Sequence, residues 1–415
     1  MVDVYSFFKK YWPIFAIAAI MLLGIYVRTL DYRWPYLRNI DSYLFYRQMD
    51  DITKGGPLPD YDPLILAPYG HHYDFFPWPY QYLGAYSYMF TKLFIPGLQL
   101  WQYLIYFPPF LAALMAIPMY YIGKTLYDRK AGVLAAFFIV FDIAIMGRSL
   151  GGDPDSDAIV MLLPIIIIAL FLMAYKRTEI KKLGEQSGIF KKIGVDKTTI
   201  ILSVLTGVFF GIWAFSWSGW WYVVWLVTGF VIARLIFNYI KIRKPKEVFA
   251  ASKLMLVVFG ISMLVYMIIA LPIYGLNHIP ATITGPFTFG NIKAENWEFP
   301  NVFVSVAELQ EPGDAKSIIQ STSAISFDQN PLAMLVSPFF LMIYCLIYLI
   351  YSYIKKRQHL DTMLLLVMWF IGPFIATMAA VRFSILFSAP IAIGSAILLA
   401  KFYRMISGED KKFED

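Results

Sequence analysis

The chain has 415 residues, of which 59% are hydrophobic and 15% charged, with a formal net charge of +7. Soluble globular chains average roughly 45–50% apolar and about 25% charged, so a water-soluble globule is excluded. The basic excess sits in short stretches between apolar runs, which argues against nucleic acid as a partner and for loops that set membrane topology.

Uncharged runs recur at 11–27, 98–123, 158–175, 198–233, 329–354, 362–381 and 383–400. A helix needs roughly 20 apolar residues to cross about 30 Å of hydrocarbon. The first run follows Lys9 and Lys10, is long enough for a signal-anchor, and has no small-residue cleavage site after it. Residues 31–97, rich in aromatics and prolines (FFPWPYQYLGAYSYMF, 75–90), read as short amphipathic helices and irregular loops at the membrane interface. Segments 131–147 and 254–276 add two helices, the former with Asp142 as an intramembrane acid. The run 198–233 is too long for one span, and SWSGWW (216–221) suits a re-entry, so a helical hairpin is expected. Residues 277–330 form a second long loop of the kind that is functional or mobile. The single cysteine, Cys345, lies inside an apolar run and excludes disulfides within the chain. The reading is an all-α polytopic membrane protein with about ten spans.

The basic loops are KTLYDRK (124–130), 176–197 with seven Lys/Arg against three acids, KIRKPKE (241–247) and KKRQHLD (355–361). They fall at alternate connections, so the positive-inside rule puts them and the N-terminus on the cytoplasmic side. The opposite face then receives 31–97, the acidic turn 148–157, SWSGWW, 277–330 and the short turn around Arg382.

Three places on that face set a carboxylate against an apolar edge: NIDSYLFYR (39–47) with Asp41, GGDPDSD (151–157) with Asp153, Asp155 and Asp157, and VSVAELQ (304–310) with Glu308. Singly, each has an ordinary alternative. Asp41 with Ser42, or Asp157, suits a helix N-cap, and Glu308 suits a solvated loop. Pro154 disfavours the α region at Asp153, so an extended turn is expected, with Asp155 and Asp157 projecting to one side. Jointly the acids suit a hard divalent cation, Mg²⁺ or Mn²⁺, of the kind that helps bind phosphates. Four histidines and one cysteine make a zinc cage a poor fit. Arg148 and Arg382 on the same face either snorkel to the headgroups or grip a phosphate.

With those residues placed, the chain resembles the catalytic subunit of oligosaccharyltransferase, most closely in its archaeal form. RSLGGDPDSDAIVMLLP is similar to the family's second-loop motif, an arginine followed seven residues on by a pair of acids, here Arg148, Asp155 and Asp157. NIDSYLFYR is similar to the first-loop motif with its catalytic aspartate, here Asp41; SVAELQ to the Ser/Thr-x-x-Glu element, here Glu308; and AAVRFSILFSAP to the late turn whose arginine holds the carrier's diphosphate, here Arg382. The resemblance covers the whole chain by order of elements. It implies a GT-C-type glycosyltransferase transmembrane domain of about 10–13 helices. The implied reaction transfers an oligosaccharide, with inversion, from a polyprenyl-diphosphate carrier to the asparagine amide of an acceptor protein bearing Asn-x-Ser/Thr. Asp41 and Glu308 would hold the amide hydrogens. Mn²⁺ or Mg²⁺ would be held by Asp41, Asp155, Asp157 and Glu308, with Arg382 on the diphosphate and Arg148 supporting the acidic turn. The family's C-terminal globular domain, with its Trp-Trp-Asp motif, has no counterpart here: Trp220–Trp221 is followed by Tyr222 inside an apolar run.

Three other readings compete. A polyprenyl-phosphate-dependent protein mannosyl- or arabinosyltransferase leans on paired acids in its first loop, and Asp41 is followed by Ser42. A cation transporter places its ionisable groups mid-span near broken helices, not at one edge. A non-catalytic subunit of the same complex would retain the fold alone.

Overall fold

A computed structural model of the protein describes residues 4–59, 61–65, 67–72, 78–180, 195–288, 315–322 and 331–409. Ten helical stretches among the described residues are long and apolar enough to cross a membrane. The first half comprises α1 (Val4–Thr29), α2 (Ile40–Thr53), β1 (Tyr61–Asp62), β2 (His71–His72), α3 (Trp78–Lys92), α4 (Leu100–Leu114), α5 (Ala116–Leu126), α6 (Arg129–Val140), α7 (Ile143–Gly147) and α8 (Asp157–Ile180). The second comprises α9 (Lys197–Ala214), α10 (Trp221–Ile242), α11 (Pro245–Tyr274), α12 (His278–Thr288), α13 (Ala315–Ser321), α14 (Pro331–Met334), α15 (Pro338–Lys356), α16 (Leu360–Ala379), a 3-10 segment (Val381–Phe387) and α17 (Ser388–Ser407).

The run 198–233 forms the expected hairpin, with α9 and α10 joined through the tryptophan-rich turn 215–220. Residues 31–97 supply two short helices. One of these, α3, buries Tyr80, Gln81, Ala85 and Tyr88 and exposes Leu83, Tyr86 and Phe90, as an interfacial helix should. The antiparallel pair β1–β2 is a small departure from the all-helical expectation, tied to α2 by the Arg47–Asp62 ion pair.

Two spans are broken where the sequence withholds a backbone bond. Pro118 has no N–H for the Leu114 carbonyl, and the chain resets at Met115, whose N–H takes the Ala112 carbonyl at 3.2 Å. Between α6 and α7 the break is made by Asp142, whose carboxylate caps the N–H groups of Ala144 (3.0 Å) and Ile145 (3.1 Å) and accepts the Ser388 hydroxyl at 2.7 Å. Its role is therefore to hold a helix break and α17, not to line an open cavity.

The helix α8 is apolar all round (AIVMLLPIIIIALFLMAY, 158–175) and occupies the centre: 83% of its spanning window is buried, against 17% for α1 at the periphery. Small residues let the inner helices approach closely. A Cβ on Gly132 would lie 2.6 Å from the Tyr120 carbonyl oxygen, and one on Gly123 would lie 2.9 Å from that of Ala131.

The two ends of the bundle differ in chemistry. At one end the basic turns meet: Asp361 pairs with Lys176 and with Arg234 (2.9 Å), Asp128 with Arg404, and Lys130 with Glu409 (2.7 Å). The acidic turn lies at the other end.

Candidate active site

The acidic turn connects α7 to α8, and its backbone is stitched to three other parts of the chain. The Gly151 N–H donates to the Arg28 carbonyl at the end of α1 (2.9 Å) and the Gly152 N–H to Ile105 in α4 (3.2 Å). The Gly152 carbonyl accepts the Arg38 N–H just before α2 (2.8 Å). Gly152 has φ +79°, a left-handed conformation that glycine adopts without steric penalty. Ser149 and Arg28, both fully buried, brace the turn from below. The Arg28 guanidinium donates to the Ser149 hydroxyl (2.8 Å) and to the carbonyls of Val140 (2.6 Å) and Gly24 (3.1 Å).

The expected extended turn is not what forms. The Asp155 N–H folds back onto the Asp153 carbonyl at 2.8 Å, and the Asp155 carboxylate accepts the Ser156 N–H and hydroxyl. Two consecutive small hydrogen-bonded loops replace the zigzag, because Asp and Ser side chains compete for nearby backbone groups.

Asp157 opens α8. Arg148 reaches one of its carboxylate oxygens and Arg382, from the 3-10 segment, reaches the other, each at 3.2 Å. Asp157 is thus the acid that gathers the two arginines, and capping is not what its carboxylate does. Asp155 beside it makes no ion pair among the described residues. Burial first, and then the Asp157 carboxylate, push the Asp155 carboxyl up to about 6. Burial likewise raises Asp153, whose carboxylate accepts the Ser42 hydroxyl at 2.9 Å.

That last bond brings the first loop to the second. Ser42 is fully buried in the first turn of α2, and Asp41 beside it in sequence is exposed. The N-cap of α2 is Asn39, without a side-chain capping bond, so the capping alternative for Asp41 and Ser42 falls. Glu308 lies outside the described residues. Of the late loop, α13 packs against the 3-10 segment that carries Arg382.

Among the described residues no three His, Cys, Asp or Glu side chains converge closely enough to hold a metal ion. Asp41, Asp155 and Asp157 therefore do not form a ready-made cage. Their chemistry still suits a hard cation, since the donors are all carboxylate oxygens, and half-buried Asp155 has the Arg382 charge acting on it but no ion pair of its own among the described residues. Next to Arg382 an apolar cleft of about 220 Å³ is lined by Trp217, Trp221, Trp225, Met368 and Phe383, between α10, α12, α16 and the 3-10 segment.

Three residues at this site are invisible to motif reasoning, Arg28, Tyr80 and Ser149, and Ser42 was read only as a candidate cap. Tyr80, at the start of α3, is fully buried, with its ring edge-on to Phe45 of α2 at 5.2 Å. Arg28 had a faint signal, a cation at the end of an apolar run, but such a residue ordinarily marks a flank.

The sequence profile described as "Oligosaccharyl transferase STT3, N-terminal" matches residues 13–409. A curated relative, "Dolichyl-phosphooligosaccharide-protein glycotransferase 3" of Archaeoglobus fulgidus, is 27% identical over 180 residues, which is 41% of this chain and 20% of that protein. A solved structure of the archaeal oligosaccharyltransferase AglB from Archaeoglobus fulgidus, in complex with an inhibitory peptide and a dolichol-phosphate, superposes with a TM-score of 0.63 at 20% identity over 97% of this chain. Another, of the A. fulgidus enzyme tethered to an acceptor peptide containing the NVT sequon, gives 0.61 at 19% over 96%, and a complex with Zn and sulfate gives 0.60 at 18% over 94%. The chain spans about half the length of these solved proteins, 52%, 50% and 49% respectively. With 13–409 matched end to end and the same helical fold throughout, the chain belongs to the oligosaccharyl transferase STT3 family.

Proposed function

We propose that this chain transfers an oligosaccharide from a polyprenyl-diphosphate carrier to the asparagine amide of an acceptor protein bearing Asn-x-Ser/Thr, with inversion and with a divalent cation. The observation that carries the reading is the meeting of three distant stretches at one end of the bundle. Ser42 next to Asp41 bonds Asp153 (2.9 Å), and Asp157 holds Arg148 and Arg382 (3.2 Å each). A scaffold subunit has no need of three carboxylates and two arginines gathered at that junction.

Asp41 and Glu308 accept the two amide hydrogens of the acceptor asparagine. This weakens the conjugation of its nitrogen with the carbonyl and frees the lone pair to attack the anomeric carbon. Arg382 uses one arm on Asp157 and presents its remaining donors to the departing diphosphate. The indole-lined cleft beside it suits the first isoprene units of the carrier, an apolar chain that leaves its charged end at the arginine. Asp41, Asp155, Asp157 and Glu308 would be the ligands of the proposed cation. A bound Mn²⁺ or Mg²⁺ supplies positive charge against the developing diphosphate charge. The positive-inside rule puts the basic end in the cytoplasm and the acidic end on the extracytoplasmic face of the cell membrane.

The test is transfer of a labelled lipid-linked oligosaccharide to an Asn-x-Thr peptide by the purified chain, with Mn²⁺ or with chelator. Asp41→Ala and Glu308→Gln should each lower the rate by about 100-fold or more, on the scale of losing a group that acts in the transition state. Transfer that persists in chelator, or in both variants, sinks the reading.

A further inference from the structure

We propose that the cavity between α2, α3 and the start of α4 binds the headgroup of an anionic phospholipid from the adjoining leaflet, with the hydrocarbon chains lying along the exposed apolar face of α3. Such a site is independent of the transfer reaction proposed above.

The cavity has a volume of about 860 Å³, and its lining includes Asp50, Lys54, Tyr88, Lys92, Gln99 and Trp101. One wall is held by the Tyr88 hydroxyl, which donates to the Leu98 carbonyl at 3.0 Å and clasps the 93–99 connection onto α3. The Trp101 indole N–H donates to the Gln99 side chain at 2.6 Å. The start of α4 lies at the acidic end of the bundle, because the carbonyl of Ile105 in its second turn accepts the Gly152 N–H. That is where a span meets the headgroups, and tryptophan and lysine are the residues that anchor such an edge.

Charge is the first feature that selects the occupant. Two ammonium groups and one carboxylate line the cavity. Lys54 pairs with Asp50 one turn before it. The Lys92 ammonium lies over the Tyr88 ring at 5.6 Å and makes no ion pair among the described residues. The lining is therefore net positive, and an ammonium binds phosphate as a point charge. A zwitterionic headgroup would bring a further cation against these lysines, and an anionic one would not.

The second feature is the apolar surface that leads to the cavity. Leu83, Tyr86 and Phe90 recur on one exposed face of α3 at helical spacing, and exposed Leu93, Phe94 and Ile95 continue it past Lys92. A helix with such a face lies in the plane of the interface with that face toward hydrocarbon. Leu93 belongs both to this strip and to the cavity lining. A lipid packed on the strip thus brings its phosphate to the cavity, while the lysine stem follows the apolar surface and leaves its charge at the headgroups. A soluble phosphate would use the lysines and leave the strip idle. A sugar would use the aromatic rings and leave the Lys92 charge unanswered.

The purified full chain in a neutral detergent is titrated with phosphatidylglycerol and, separately, with phosphatidylcholine, and lipid-bound species are counted by native mass spectrometry. The wild type is compared with Lys92→Gln, Gly97→Trp and Lys10→Gln. Gly97 lines the cavity and a Cβ there meets nothing within 4 Å, so tryptophan enters open space with no change of charge. Lys92 and Gly97 are both exposed, so neither change strips the core. Lys10, exposed near the start of α1, is the control for diffuse attraction. The wild type should bind phosphatidylglycerol more tightly than phosphatidylcholine. Lys92→Gln should weaken phosphatidylglycerol binding by about 5-fold, the size of one lysine's attraction to an anionic surface. Gly97→Trp should weaken it at least as much, and Lys10→Gln should match the wild type. Equal affinity for the two lipids, or no effect of Lys92→Gln, overturns the proposal. So does a loss on Lys92→Gln that Gly97→Trp does not share, or that Lys10→Gln reproduces, since diffuse attraction gives either result. Displacement of bound phosphatidylglycerol by inorganic phosphate at equal concentration would assign the cavity to a soluble anion and overturn it too.

Discussion

Gly152 carries the sharpest steric demand at the acidic turn. With φ +79°, any side chain there is strained, and a Cβ would sit 2.3 Å from the Tyr32 ring. The left-handed conformation alone costs an alanine about 1–2 kcal/mol. Gly152→Ala should therefore lower the unfolding midpoint, and it should reduce glycan transfer further because the Arg38 and Ile105 backbone bonds share this residue. An unchanged midpoint by scanning fluorimetry would refute this. The neighbouring residues show what sequence could and could not reveal here. The motif RSLGGDPDSD set Arg148 and the acids in one stretch, and in the structure Arg148 pairs with one of them. Which acid each arginine takes was hidden: Arg148 stands seven residues before Asp155 yet pairs with Asp157, because the chain doubles back at Asp153–Asp155. Local hydrogen-bond competition of this kind leaves no periodic trace.

At the scale of elements, the junction of α11 and α12 is set by stacked rings. Gly275 (φ +68°) ends α11, and His278 packs against both Trp220 at 5.1 Å and Tyr274 at 4.9 Å, with the Tyr266 hydroxyl 2.6 Å from its Nε2. Burial pushes the His278 imidazole below its ordinary pKa of 6.5. A base whose folded pKa is lowered binds its proton more readily in the unfolded chain. Its contribution to stability is thus complete above about pH 6.5 and shrinks as pH falls below that value. His278→Phe keeps the stack and removes the proton site. The drop in unfolding midpoint between pH 7.5 and pH 5 should accordingly be smaller in that variant than in the wild type. An equal drop in both would show that His278 does not titrate in this range. The hairpin of α9 and α10 was legible from run length and from SWSGWW alone. The break between α6 and α7 was not, since an aspartate that caps a helix inside an apolar run looks the same in sequence as one that lines a path.

At the scale of the molecule, the count of about ten spans was legible from run length, and alternate loops of opposite character predict their sidedness, because charge asymmetry is read loop by loop and does not depend on tertiary packing. The meeting of Ser42 and Arg382 with the acids at 153 and 157 needed the fold, since nothing local relates residues 42 and 382 to that turn. Sidedness has a direct test. Cys345 is buried in α15 and can stay in place. Gly55→Cys, in an exposed turn after α2, should react with a membrane-impermeant maleimide on intact cells. Lys241→Cys, exposed at the end of α10, should react only after permeabilisation. The reverse pattern would invert the topology.

Arg28 links these scales through the order of synthesis. The carbonyl and the hydroxyl it donates to across the bundle lie 112 and 121 residues further along. When the ribosome delivers the first span, its guanidinium has no such acceptors, and a long cationic side chain near a helix end reaches back toward the headgroups. Only after the third span and the turn behind it have been inserted can that charge be drawn inward. Assembly of the acidic end therefore waits on a side chain made near the start of translation, and the first helix cannot settle against its neighbours before they arrive.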